Sequence, residues 1–233
     1  MVGIADKVDT VVVIFASGAK ISGSQDPLGV RRAALGVLKT ILNNDMNINL
    51  TDLIKKAIEL LPVKADDEKA LFDKIYDFFV QRLTILLSDT YKNDVMNACI
   101  ANNDVLADLK GFTKRANAVV KILEKPYFAE LNEAAGRIIR IIKGKEINEN
   151  PDEKIFKESC ENDLYNCIKA VDEKAEAEKV ADELAKCTPA ITAFFDKVLV
   201  MDKDEAVKNN RLKLLTFAKS KFDAICDFSK LSV

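Results

Sequence analysis

The stretch DDEKALFDKIYDFFVQRLTILL, residues 66–87, decides the fold class. Its apolar residues Leu71, Ile75, Phe78, Phe79, Leu83, Leu86 and Leu87 recur every three or four positions. That spacing gathers them on one broad face of a helix and scatters them over both faces of a strand. Working outward, the same period recurs. Toward the N-terminus it predicts a helix over 31–42 with Leu35, Leu38 and Leu42 inward. A short helix follows, capped by Thr51 and ending at Leu61 before Pro62. Residues 1–29 are the one stretch that does not read as helical: the run Val11–Ala16 precedes a loop rich in glycine, with Asp26 and Pro27.

Toward the C-terminus a short helix is expected over 93–101. The next runs from an Asp104 cap to Lys125, where Pro126 breaks it, and another from Tyr127 to Lys143, where Gly144 stops it. A turn at 145–151 is the best internal boundary. Beyond it helices are expected from Asp152, over 178–186, from a first-turn Pro189 to Val200, and from an Asp202 or Asp204 cap to Phe228. No strand-like alternation appears after residue 29, so the fold class is all-α.

Composition narrows the chemistry. The 233 residues are 48% hydrophobic and 31% charged, with a net charge of -2. Such a chain can build a sizeable core and is not a uniformly basic nucleic-acid binder. It contains no histidine and no tryptophan and only eight glycines. A histidine general base, a Ser-His-Asp or Cys-His pair and a histidine-containing zinc site are therefore excluded within it. Gly18 to Ser24 lacks the terminal Gly-Lys-Ser/Thr of a phosphate loop. Carboxylate pairs such as Asp66/Asp67, Glu173/Glu176 and Asp202/Asp204 sit at helix starts or on acidic faces, where capping and the helix dipole account for them. No catalytic residue and no metal site is expected.

The five cysteines form no Cys-x-x-Cys pair, and all are expected to be small buried apolar groups in a reducing compartment. No apolar run approaches the length of a membrane span, and no leader-like segment opens the chain. A cytoplasmic protein without a membrane partner is the expectation.

Charge is unevenly distributed. Between Leu109 and Lys145 nine basic residues face three acidic ones, whereas between Glu149 and Glu183 twelve acidic residues face five lysines. The basic stretch suits phosphate contact. Arg137, Arg140 and Gly144 share an edge of their helix, with Ile138, Ile141 and Ile142 on another. In the last helix Arg211 falls inside the apolar stripe of Val207, Leu215, Ala218, Phe222 and Ile225. A charge there calls for an ion pair, with Asp196 or Asp202 as partner. Arg31 similarly shares the Leu35–Leu38–Leu42 side and is a candidate for a structural ion pair, while Arg32, Lys208 and Asn210 point outward.

Three strings are more specific than any patch. GSQDPLGVRRAALGVL at 23–38, TAFFDKVLVM at 192–201 followed by NNRLKLL at 209–215, and ICDFSKL at 225–231 occur in order and at sensible spacing. Together they resemble the β-subunit family of the bacterial tetrameric glycyl-tRNA synthetase, on the "GS-DP-(x)2-RRAALG" and "DAFFDKVMVM…NRLxLL" blocks, in Asp26, Pro27, Arg31, Arg32, Gly36, Phe194, Phe195, Asp196, Lys197, Met201, Asn210 and Arg211. The likeness covers the whole chain but only the C-terminal portion of such a subunit. It implies a tail of a preceding domain and a loop over 1–29, a helical body over 30–147, and over 148–233 a helical domain similar to the anticodon-binding domain of arginyl- and cysteinyl-tRNA synthetases.

It further implies a non-catalytic, tRNA-binding part of a glycine–tRNA ligase. ATP and Mg²⁺ would belong to a separate α subunit, in an α2β2 heterotetramer that charges tRNA-Gly. The candidate tRNA contacts are Arg32, Lys110, Lys114, Arg115, Arg137, Arg140, Lys143, Lys208 and Asn210. Phe194 and Phe195 are expected in the core. Two departures stand out: Ala135-Gly136-Arg137-Ile-Ile-Arg140 keeps only the arginine of the family's Asn-Lys-Arg, and Lys186-Cys187-Thr188-Pro189 keeps only the proline of Leu-Arg-Glu-Pro. The competing function is a helical module that joins the two subunits and binds no RNA by itself.

Overall fold

The computed structural model describes residues 2–19, 26, 28–62, 65–101 and 103–232. Among them ten α-helices and two 3-10 turns form the regular structure, and no strand occurs. The chain divides into two units, Met1–Met96 with Asn103–Lys114, and Asn97–Asn102 with Arg115–Val233. The two units exchange chain over residues 97–114, and the 145–151 turn lies within the second unit. Ile138 and Ile142, ahead of that turn, are buried on a helix that packs against helices beyond it.

The first unit is built on α1 (Val2–Ala16), α2 (Val30–Asn43), α3 (Leu50–Glu59) and α4 (Glu68–Leu87), with the first part of α5 (Asn93–Ile100) and of α6 (Leu109–Leu123). Helix α1 corrects the expectation of a non-helical N-terminus. Ile4, Val8, Val11 and Val12 form one buried face against α2, α3 and α4, and Val13 in the same run points to solvent. Burying a valine is worth roughly 1.5 kcal/mol or more, against at most about 0.7 kcal/mol lost to β-branching in a helix. Packing overrides local preference. On α2 the buried face is Val30, Ala34, Val37, Leu38 and Ile41, one step round from the expected stripe.

Most of the 23–38 motif's loop, residues 23–25 and Pro27, lies outside the described residues. Asp26 takes the backbone N–H groups of Arg31 (3.3 Å) and Arg32 (3.2 Å), so it caps α2 from ahead of Gly29, whose φ of 69° suits a glycine.

Two caps differ from expectation. Asn49, not Thr51, caps α3, and the buried Thr51 hydroxyl donates to Asp104 (2.7 Å). Occupied there, Asp104 does not open α6, which starts at Leu109 with Asp108 accepting from Gly111 N (2.8 Å).

The second unit contains the remainder of α6, then α7 (Phe128–Ile142), α8 (Ser159–Lys169), α9 (Ala177–Lys197) and α10 (Glu205–Asp223), closed by a 3-10 turn at Phe228–Lys230. Asp152 caps only a 3-10 turn, Glu153–Ile155, and α8 begins later behind a reciprocal cap between Glu158 and Glu161. Helix α9 runs straight through Pro189 instead of breaking before it. Val180, Ala181, Leu184, Cys187, Ile191 and Phe194 form one unbroken buried face, which outweighs the single backbone hydrogen bond that proline removes.

At the head of α10, Asp204 accepts from Ala206 N (3.0 Å) and Val207 N (3.4 Å), and Asp202 accepts from Asp204 N (3.0 Å). These backbone hydrogen bonds hold both carboxyls below their usual value of 3.8. The unfolded chain then binds more protons than the folded one. The stabilisation is complete above that value and is lost as pH falls through the folded values. A thermal midpoint level from pH 7 to about 5 and falling below about 4 is expected, with Asp204→Asn, which keeps the cap but not the charge, flattening the fall.

Candidate nucleic-acid interface

Helix α7 positions the candidate site within the second unit. Pro126 and Tyr127 end the preceding helix, and the Tyr127 hydroxyl donates to Asp182 (2.6 Å), fixing the entry of α7 beside α9. Phe128, Leu131, Ala134, Ala135, Ile138 and Ile142 are buried against α9 and α10. The opposite edge carries Glu133, Arg137 and Arg140, and Gly144 at φ 70° terminates the helix between the exposed Lys143 and Lys145.

The two arginines share this edge but lean to different sides. The Arg137 guanidinium lies over the ring of Phe195 at 4.7 Å from its centroid and reaches Asp196 at 3.5 Å. It forms part of a groove of about 520 Å³ between α7 and α9, lined also by Glu130, Glu133, Thr188, Pro189, Thr192 and Lys197. Within it the Thr188 hydroxyl is buried without a hydrogen-bond partner. Arg140 instead folds over Gly136, whose added Cβ would stand 3.3 Å from Arg140 Nη1. It borders a second groove of about 550 Å³ against the Phe228–Leu231 segment, where the Asn132 amide oxygen is buried and unpartnered.

The electrostatics of the first groove are specific. Three carboxylates, of Glu130, Glu133 and Asp196, face two cations, Arg137 and Lys197. Such a groove repels a phosphate chain but can accept hydrogen bonds from the amino groups on nucleobase edges. Arg140, Lys143 and Lys145 at the end of α7 are exposed. Phe195 is not a core residue as expected. Phe194 is fully buried, whereas Phe195 is half-buried and carries the guanidinium on one face.

The other candidates are dispersed. Arg32, exposed and 3.6 Å from Asp26, Lys110, paired with Asp45, and the exposed Lys114 all belong to the first unit. Arg115 is half-buried, and its charge acts on the buried thiols of Cys99 and Cys226. Lys208 pairs with Glu205 at 2.7 Å. Asn210 is a correction: it is 3% exposed, its Oδ1 accepts from Asp152 N (2.7 Å) and its Nδ2 donates to Asp152 O (2.9 Å). The α10 face next to the apolar stripe is covered by the 150–155 segment, so Asn210 is buried rather than outward-pointing and anchors that segment.

Arg211 is 4% exposed. Its Nη1 donates to Asp202 (2.8 Å) and to Leu199 O (3.0 Å), and its Nε to Glu161 (2.9 Å). Burial works to lower its pKa, but the hydrogen bonds and charges of Glu161 and Asp202 outweigh burial and raise it. Asp196 is engaged with Arg137 instead. Glu161 has no signal in sequence, because only the folding of α8 against α10 brings it there. Arg31, expected in an ion pair, makes none through its side chain among the described residues. Its backbone N–H goes to Asp26, and its Nε is buried without a partner.

Neither a cluster of three or more metal-ligating side chains nor a helix long and apolar enough to cross a membrane occurs among the described residues.

Residues 1–101 match the family model described as glycyl-tRNA synthetase beta subunit, and residues 131–227, which include α7 from Leu131 onward, both grooves' arginines and α10, match the DALR anticodon binding domain. Proteins named glycine–tRNA ligase beta subunit from Geotalea daltonii, Clostridioides difficile and Dictyoglomus turgidum are 37%, 34% and 35% identical to it, over 99%, 98% and 100% of the chain. The chain spans about a third of the length of these curated relatives, 34%, 34% and 35% respectively. An all-helical chain whose C-terminal part is of the DALR type, it matches the glycine–tRNA ligase β-subunit family across nearly its full length.

Proposed function

We propose that this chain is a non-catalytic, tRNA-binding portion of a glycine–tRNA ligase β subunit, holding tRNA-Gly for ATP-dependent aminoacylation on the α subunit of an α2β2 enzyme. One observation carries the proposal. Within the segment that resembles an anticodon-binding domain, α7 sets a cationic rim of Arg140, Lys143 and Lys145 beside a groove rich in hydrogen-bond acceptors. The rim takes the sugar–phosphate chain, and the groove takes the edge of an unstacked base. Arg137, braced on Phe195 and Asp196, offers its guanidinium plane to that base. ATP and Mg²⁺ act on the α subunit, and this chain's share in the rate is positioning.

The test is tRNA-Gly binding by the chain at about 50 and 200 mM salt, beside a non-cognate tRNA and the Arg137→Ala/Arg140→Ala double variant. Binding that falls steeply with salt is expected. The double variant should bind about tenfold more weakly, with a salt slope smaller by about one. A folded chain that binds no tRNA at either salt would leave the competing function, subunit assembly, in its place.

A further inference from the structure

The sequence suggests five inert thiols, but Cys167 of α8 and Cys187 of α9 are joined by a disulfide with Cα atoms 5.7 Å apart. Their apposition follows from the α8–α9 hairpin. Leu164 and Ile168 of α8 and Leu184 and Ile191 of α9 are buried, and Asp172 N donates to Glu183 (3.1 Å) where the connecting segment meets α9. With the two helices held in that register, the cysteines face each other at a spacing within the normal range for a bridge.

The remaining cysteines behave differently. Cys99, Cys160 and Cys226 are buried, at most 3% exposed. Burial pushes their thiols up, Cys99 to about 11, so they stay protonated and unreactive. In the bridged pair Cys187 is 1% exposed while Cys167 is half-exposed. Cys167 is thus the more accessible residue of the pair and the side from which a thiolate would approach, with the enclosed Cys187 as the leaving group.

We infer that Cys167 and Cys187 form a reversible dithiol–disulfide site whose oxidation clamps α9 to α8 just ahead of Pro189. In the forward direction the Cys167 thiolate attacks a low-molecular-weight disulfide such as oxidised glutathione, expelling one glutathione thiolate and leaving a mixed disulfide on Cys167. The Cys187 thiolate then attacks the Cys167 sulfur and expels the second glutathione. Two protein thiols lose two electrons and two protons, and one glutathione disulfide becomes two thiols. Reduction reverses both steps, with attack on the Cys167 sulfur.

The place of the clamp gives it a consequence. Pro189 has no N–H to donate to the carbonyl of Ala185, so α9 is weakest there. Cys187 lies within that weakened turn, and the next two residues, Thr188 and Pro189, line the Arg137 groove. Oxidation therefore stiffens one wall of the groove. This last step rests on the RNA-binding proposal; the thiol chemistry does not.

The test equilibrates the whole chain in glutathione buffers of graded ratio, blocks free thiols by alkylation and quantifies the Cys167–Cys187 linked peptide by mass spectrometry. A single reversible two-electron transition is expected, with Cys99, Cys160 and Cys226 unlinked throughout. Reduction, or Cys167→Ser, is expected to lower the thermal midpoint by about 5–10 °C, while Cys160→Ser leaves the linkage intact. Amide exchange over residues 185–195 should quicken on reduction. The inference is overturned if both cysteines alkylate fully at every ratio, if the bridge survives excess dithiothreitol in the folded chain, or if Cys99 and Cys226 link instead. The titration on the unaltered chain decides this even if Cys167→Ser does not fold. Absence of tRNA binding in both redox forms would defeat only the RNA-binding proposal.

Discussion

Arg211→Ala is expected to lose about 3–5 kcal/mol of stability, measured by urea unfolding, because it strands Glu161 as a buried charge. Glu161 is 0% exposed, and its Oε1 receives Arg211 Nε while its Oε2 receives the N–H groups of Lys157 and Glu158 (2.8 Å each). Removing the arginine leaves that carboxylate with backbone donors but no counter-charge. It also releases Asp202 and the Leu199 carbonyl, so the 198–204 connection loses its tie to α10.

A second variant separates charge from packing. In Arg211→Met/Glu161→Gln the side-chain volumes are nearly kept, and the glutamine oxygen can still accept the backbone N–H groups at the start of α8. This double variant is expected to recover at least half of the loss. A single Arg211→Ala within about 1 kcal/mol of the native chain would show that the triad is no more than a surface pair.

Phe194→Ala and Phe195→Ala are expected to act on different properties, although the residues are adjacent. Phe194 is 0% exposed on the buried face of α9, and its removal opens a cavity worth about 3–5 kcal/mol. Phe195 is half-buried, and its loss is expected to cost about 1–2 kcal/mol in stability. The larger effect of Phe195→Ala falls on tRNA affinity, reduced a few-fold because the Arg137 guanidinium loses the ring that orients it. Equal destabilisation by both, with tRNA affinity unchanged by Phe195→Ala, would return Phe195 to the core and remove Arg137's brace from the recognition scheme.

Much of α7 was legible in the chain itself. Ile138 and Ile142, expected on its apolar side with Ile141, are buried, and Pro126 and Gly144 bracket it. The way its arginines divide was not, since Arg137 is drawn to Phe195 and Asp196 of α9 while Arg140 settles over Gly136. Asn210 misled for a related reason. Its helical position lies beside an apolar stripe, and nothing local shows that the 150–155 segment returns to cover it.

Helix α1 and the passage of α9 through Pro189 were missed for a common physical cause. β-Branched residues carry local penalties below about 1 kcal/mol and proline about 3 kcal/mol, whereas a continuous buried face sums several side chains worth roughly 1.5–3 kcal/mol each. The local signal is then read with the wrong sign.

What the amino-acid order settled by itself was whatever repeats within a turn or two: an all-helical chain, the faces of its long helices, the requirement that an arginine inside an apolar stripe be paired, and the strings that resemble one family. Tertiary structure decided which residues meet. Glu161 reaches Arg211 across 50 positions, Asp152 reaches Asn210 across 58, and Cys187 reaches Cys167 across 20. Periodicity encodes the direction of a side chain on its own helix. The partner depends on how two helices cross, and that is set only when their buried faces pack together.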